Sequence, residues 1–387
     1  ASSLTDLARI GLRLPGVLWH GCVTVDRVLD RCGLTDPLLR AVLSAQVGDH
    51  GVGPDRAPFI SHAVIQGHYF GGAFYPKGGS RSIPAAFIKE LRAHGGTIAI
   101  SSPVARILIE GGRAVGVRLE DGTEVRADTV VSNADPGVTW GRLVAPEQTP
   151  ASMRRKLERV RWSASSLALF FATEADLRAE GLDSGNYWYS QRADVAEHYA
   201  VEKNASPNSP MTGAFLTVTT LKDPTKRRDG VHTCEAFCPI SPAVFAEWNH
   251  TEHGDRPDAY EALKVEFKER VYEALEAIHP GIRNGVVFES LGTPLTNAHY
   301  VSATEGALYG IEKTLFNMGP LAFPITSPVR GLYQCGQSTT AHGVVGATLS
   351  GLNAASAILG CPRDALLDGK GPPIRIEPSE PVSKPAI

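Results

Sequence analysis

Residues 330–360, RGLYQCGQSTTAHGVVGATLSGLNAASAILG, constrain this chain more than any other stretch. Leu332 to Cys335 is a short, mostly apolar run bounded by Gly331 and Gly336, the size of a buried strand end. A polar loop, Gln337 to His342, follows it. From Gly343 onward the residues are small and apolar. Gly346, Ala347, Gly351, Ala354 and Ala355 predict a helix whose face admits another backbone or a flat ligand. Gly360, with Cys361 and Pro362 behind it, is a good stop. A strand that delivers a loop into such a helix makes an anion site, because unpaired N–H groups and the positive end of the helix dipole point outward together. On pattern alone a tightly packed core helix fits the same residues.

At 387 residues the chain is long enough for two or three domains. Lys and Arg number 38 against 41 Asp and Glu, a net charge of −3, so no global basic field points to nucleic acid. No apolar run reaches the ~18–20 residues of a transmembrane helix. The first residues lack the layout of a signal peptide, and a cytoplasmic location is the expectation. Six cysteines in a chain this long do not form a disulfide framework. Cys234-x-x-x-Cys238, with Pro239 after it, reads as a half-buried strand, and no metal site is expected.

Taken in order, Leu4, Leu7, Ile10 and Leu14 mark a short amphipathic segment, and Val25 to Leu29 begins another that Asp36-Pro37 interrupts. The segment ending in Val17-Leu18-Trp19 reads first as a packed helix and second as a peripheral membrane contact. His50, His62 and His68 have no metal spacing and read as surface or packing histidines. Tyr75-Pro76-Lys77-Gly78-Gly79-Ser80 precedes a helix with Phe87, Ile88 and Leu91 on its apolar face, ended by Gly95-Gly96. The period then becomes strand-like over Thr97–Ile100, Val104–Glu110, Arg113–Leu119 and Glu124–Ala127, with turns at Gly111-Gly112 and Asp121-Gly122. Asp128 to Asn133 is a further buried strand. Ser166–Phe171, Phe215–Thr219 and Thr233–Cys238 alternate as strands, and Tyr260–Ile278 predicts a long helix packing through Leu263, Val265, Phe267, Val271, Leu275 and Ile278. Asp368–Ile387, rich in proline, reads as an extended tail. No GxGxxG is present, since Gly51-Val52-Gly53-Pro54 lacks the preceding strand and the third glycine.

The 330–360 stretch resembles the C-terminal flavin motif of the phytoene desaturase, carotenoid isomerase and retinol saturase group of FAD-dependent oxidoreductases. VARILIEGGRAVGVRLEDGTEVRADTVVSNADP, Tyr75–Ser80, Thr293-Pro294-Leu295-Thr296 and Gly306–Gly310 resemble further segments of that group. The resemblance implies a mixed α/β FAD/NAD(P)-binding fold of the two-dinucleotide-binding-domain kind, with an inserted α+β substrate domain. It implies FAD, bordered by Gly336, Gln337, Gly343, Val344, Val345 and Gly346, with Val104 contacting adenine through its backbone. Gln337 stands where related flavoproteins often have an acidic residue for the ribityl chain. The implied layout is substrate-region helices over 1–70, FAD-domain parts over 71–140 and 285–362, a substrate domain over 141–284 and the tail over 363–387. The group's GxGxxG unit lies ahead of everything seen here, so the chain reads as N-terminally truncated.

The implied function is a desaturase- or saturase-type oxidoreductase on a hydrophobic isoprenoid. A non-redox polyene isomerase and a non-catalytic flavin-fold binding protein are the alternatives. Tyr187, Trp188, Tyr189 and Trp248 are candidates for substrate walls or for core. No nucleophile triad or carboxylate pair stands out, catalytic side chains stay unassigned, and His342 is the nearest titratable group.

Overall fold

The computed structural model describes residues 12–13, 15–196, 199, 206–209, 211–367, 369, 371 and 373–379. Leu4, Leu7, Ile10 and Leu14 lie outside them, as does much of the predicted tail. From Pro15 the described residues form short helices, among them α1 (Pro15–Gly21), α2 (Val25–Arg31), α3 (Pro37–Ser44) and α4 (Phe59–His68). Asp36-Pro37 starts a helix rather than only interrupting one: the Asp36 carboxylate accepts from Leu39 N–H at 2.7 Å and Pro37 fills the first turn. A 3-10 segment, Ala45–His50, leads from α3 towards α4.

Helix α5 (Ser82–Ala93) ends where Gly95 takes φ +79 and Gly96 N–H bonds back to Leu91 carbonyl at 2.8 Å. Next comes an antiparallel meander of β1 (Val104–Glu110), β2 (Arg113–Leu119) and β3 (Glu124–Arg126). Gly111 and Gly112 both take positive φ in the first turn, as the tight hairpin requires. At the second turn only Gly122 does, because Leu119 N–H reaches Thr123 carbonyl and closes a longer loop. Thr97–Ile100 forms no strand: Ile100 is 83% exposed, and an extended run with no neighbouring strand gains no ladder.

Beside the meander, β4 (Val130–Ser132) pairs in parallel with β10 (Leu332–Gln334), Leu332 opposite Val130. The meander joins this pair through Ala114 N–H on Arg330 carbonyl at 2.8 Å, over a core that includes Ile107, Val138, Trp140 and Leu332. From β10 the chain turns into α9 (Gly343–Leu359), which stops at Gly360 with φ +65.

Between these parts lies an antiparallel sheet in the order β6 (Asn186–Ser190), β7 (Gly213–Val218), β8 (His232–Ile240), β5 (Ser165–Thr173) and β9 (Val286–Gly292). One face packs against α7 (Asp258–Glu276), joining Leu167, Leu169, Leu216, Cys234 and Cys238 to Phe267, Val271 and Leu275. Val265 is 54% exposed, whereas Tyr260 and Tyr272 are buried, so the packing stripe of α7 is rotated from the predicted one. Tyr187 and Trp248 pack on this core, and Trp188 belongs to the opposite face. There Trp188, Phe215, Phe237 and Phe170 form a row with successive ring-centre separations of 4.8, 5.9 and 6.4 Å. Two shorter helices complete the frame, α6 (Ala151–Leu157) and α8 (Pro294–Val301), the latter begun by a Thr293–Thr296 capping box. No disulfide links the six cysteines. Among the described residues no helix is long and apolar enough to cross a membrane, and no group of His, Cys, Asp and Glu is set to hold a metal.

Candidate functional site

The start of α9 is open. His342, its N-cap residue, gives no side-chain cap, so the first-turn N–H groups keep their donor capacity. Gly343 has φ +75 with no heavy atom within 4 Å of a built Cβ, and Val344 and Val345 are 62% and 73% exposed. The preceding loop is spent internally: Gly336 N–H donates to Ser350 Oγ at 2.6 Å, and Thr339 Oγ1 donates to Gly336 carbonyl at 2.9 Å. Gly336 sits at φ +97, with Asn133 Oδ1 2.4 Å from a built Cβ, so no larger side chain fits. Gln337 is half-buried against Gly310. Gly346 is buried, and its missing side chain makes room for the Ala341 backbone, 2.6 Å from a built Cβ. Val104 stands apart, half-buried at the first position of β1.

Three other segments meet this helix start. His342 lies 5.8 Å from the ring of His50 and 5.0 Å from that of Tyr309, and His50 is 5.7 Å from His62. Gly48 brings the 3-10 segment against the aromatic sheet face, since a built Cβ there would fall 2.5 Å from the Trp188 ring. Gly51 likewise lies under Tyr309, with 2.9 Å to its ring. A cluster of Asp49, His50, His62, Tyr309, Lys313 and His342 is thus assembled from residues far apart in sequence, beside a wall of Trp188 and Phe215.

This cluster is short of hydrogen-bond partners. Neither ring nitrogen of His50 has one, nor do His62 Nδ1, His342 Nδ1 and Lys313 Nζ. His62 Nε2 meets Leu43 carbonyl at 2.9 Å. Burial dominates the proton affinities. It drives His50 down to about 3, with His342 and His62 adding to the effect. His342 falls to about 4, chiefly by burial and then by the Lys313 charge, against a hydrogen bond to the Asp49 backbone. Burial also lowers the Lys313 amine to about 8 and raises the Asp49 carboxyl to about 6, the latter opposed by His68. Tyr309 is raised by burial and by Asp49. Orphaned donors around an uncapped helix start suit a flat group carrying negative charge along one edge, so the residues present fit a flavin.

The sequence motifs locate Gly336–Gly346 and Tyr309 but miss Asp49, His50, His62 and Lys313 as members of the site. Lys313 alone carried a signal, lying three residues after the Tyr309-Gly310 motif. Nothing local separates His50 and His62 from ordinary packing histidines.

Comparison with known proteins bears on the family of the chain. The all-trans-retinol 13,14-reductase of Danio rerio is 30% identical over 336 residues, covering 83% of this chain and 55% of that protein. The chloroplastic prolycopene isomerase of Arabidopsis thaliana is 28% identical over 309 residues, covering 78% of this chain and 48% of its own. The chain therefore spans about half the length of these relatives. A crystal structure of an oxidoreductase from Methanosarcina mazei superposes with a TM-score of 0.60 at 19% identity, over 92% of this chain and 73% of that one, and so shares its fold. Residues 59–359 match the flavin-containing amine oxidoreductase family, and the chain belongs to it.

Proposed function

We propose that this chain forms the substrate-contacting body of an FAD-dependent oxidoreductase of the desaturase or saturase type, acting on a hydrophobic isoprenoid such as a retinoid or carotenoid. The observation that carries this reading is the junction at α9, where an open helix start, the orphaned Lys313 and His342 nitrogens and an aromatic sheet face come together. Bound FAD would supply the hydride or electron transfer. Gly336, Gln337, Gly343, Val344, Val345 and Gly346 would border its ring, and Val104 its adenine. First-turn N–H groups and the Lys313 ammonium would oppose negative charge on that ring. The Trp188, Phe215, Phe237 and Phe170 row would wall a polyene and keep water from it. We assign the FAD-binding parts to 71–140 and 285–362, and the substrate region to 1–70 and 141–284.

Similarity to retinol reductases supports the redox reading, and similarity to a prolycopene isomerase supports isomerisation as the second. Full-length, flavin-loaded protein should be incubated with all-trans-retinol and with prolycopene, with the flavin poised oxidised or reduced, and the products weighed. Gain or loss of two hydrogens supports the redox reading. Unchanged mass with a shifted absorption spectrum supports isomerisation. No conversion under any poise rejects both.

An apolar substrate must also be loaded. Leu38 and Val42, four residues apart on one side of α3, are 68% and 64% exposed, and Trp19 at 65% and Phe70 at 92% are further exposed apolar groups of the N-terminal region. We assign this side to peripheral lipid contact. Vesicle co-sedimentation should weaken in Leu38→Ser/Val42→Ser, and equal sedimentation would reject the assignment.

A further inference from the structure

Away from the α9 junction, a cleft of about 630 Å³ opens between the end of α6 and residues 312–321. Arg56, Arg155, Lys156, Arg159 and Arg161 line it against a single carboxylate, Glu312. That carboxylate is 2% exposed and already held by the Arg56 guanidinium, with Nη1 to Oε1 at 2.9 Å. Lys156 is committed too: its ammonium donates to Leu321 and Ala322 carbonyls at 2.7 Å each and lies over the Phe323 ring. Arg155, Arg159 and Arg161 are left. All three are exposed, and none has an ion-pair partner among the described residues. Glu158 lies between them in sequence but outside the lining.

A simple structural reason covers only part of this. Cations in the last turn of α6 face the negative end of its dipole, which accounts for Arg155 and Lys156. It does not account for Arg159 and Arg161, which lie past the helix end and add like charge to the same cleft. Three unpaired guanidiniums gathered around one hollow repel one another, in a chain whose net charge is −3, unless an anion joins them. Guanidinium forks match phosphate oxygens in pairs. The rim adds Thr314 and Asn317 as polar groups and Phe316, 79% exposed, as a flat apolar one. The volume suits a nucleotide-sized ligand.

We propose that this cleft binds a soluble organic phosphate, with the phosphate among Arg155, Arg159 and Arg161 and a ring on Phe316. The inference does not rest on the flavin reading. Its cleft shares the Glu312–Lys313 segment with the buried cluster, so the occupant lies one residue from Lys313. A phospholipid headgroup offers the same anion, but the concave shape and polar rim favour a soluble ligand.

The test is calorimetric titration of the full-length protein, saturated with FAD, with ADP, with inorganic pyrophosphate and with phosphatidylglycerol vesicles. ADP and pyrophosphate should bind, more weakly as NaCl rises. Arg159→Gln/Arg161→Gln should lose about tenfold or more for both. Phe316→Ala should weaken ADP more than pyrophosphate, and Arg118→Gln, an exposed arginine on β2, should change neither. Because the readout is the difference between native and variant protein, loss of flavin binding would not mimic it. Equal ADP affinity in native protein and in Arg159→Gln/Arg161→Gln would overturn the site, as would arginine-dependent binding of vesicles without binding of either soluble phosphate.

Discussion

At Gly346 a built Cβ lies 2.6 Å from the carbonyl carbon of Ala341, whereas at Gly351, in the same helix, it meets no heavy atom within 4 Å. Gly346→Ala should therefore destabilise by about 1–3 kcal/mol, through displacement of the loop that ends at His342. Gly351→Ala should stabilise by about 0.5–1 kcal/mol, because only backbone entropy changes. Urea unfolding of both variants measures the pair, and shifts of the same sign would mean that the loop yields. Lys313 supplies a second contrast. Its ammonium is buried without a hydrogen-bond partner, so Lys313→Met should stabilise the flavin-free protein by about 1–3 kcal/mol. The same variant should make the bound flavin harder to reduce, read as a more negative midpoint potential. Destabilisation with an unchanged potential would remove Lys313 from the site. Sequence alone showed that the α9 face is small. It did not show that Gly346 is small for the sake of its own loop, since the closeness of Ala341 is a property of the folded turn.

Among the elements, the Ala45–His50 segment is the most exposed to acid. The folded-state pKa values of His50 and His342 lie below their ordinary 6.5, at about 3 and about 4. Their contributions are present above pH 6.5 and are lost as pH falls through those values. Asp49 runs the other way: its pKa is raised from 3.8 to about 6, so its contribution is full below 3.8 and is lost as pH rises through 6. Lys313, lowered to about 8, stays charged throughout the acid window, and His62 is lowered by burial. Two deeply shifted imidazoles outweigh one carboxyl, so stability should fall from pH 6.5 to 4. His50→Gln should flatten that slope, with backbone amides of 45–50 exchanging faster than those of β5 at pH 4.5. An unchanged slope would place the acid sensitivity elsewhere. Elements with a local signature were legible: β1 and β2 match their predicted limits because paired glycines fix the turn between them. Thr97–Ile100 carries the same alternation but forms no strand, and β6 was read only as a run of aromatics. Pairing is decided by a neighbour, which alternation does not reveal.

For the whole molecule, the site is a place where distant segments are held together, and this is why motif reading found one wall of it. The Arg56–Glu312 pair ties the N-terminal helices to the segment that carries Tyr309 and Lys313. Arg56→Met should cost about 1–3 kcal/mol, by taking the bidentate partner from a carboxylate that is 2% exposed. It should also speed proteolysis within residues 45–60 in native buffer. Unchanged cleavage would show that Trp188 over Gly48 suffices to hold that region. The parallel pairing of β4 with β10 has a consequence in time. On the ribosome, β4 emerges roughly 200 residues before Leu332, a wait of about 10–40 s at ordinary elongation rates. Through that interval β4 has no β10, and the meander lacks the Arg330 carbonyl that anchors Ala114. A nascent chain of this kind depends on whatever shields a bare strand until Leu332 has emerged.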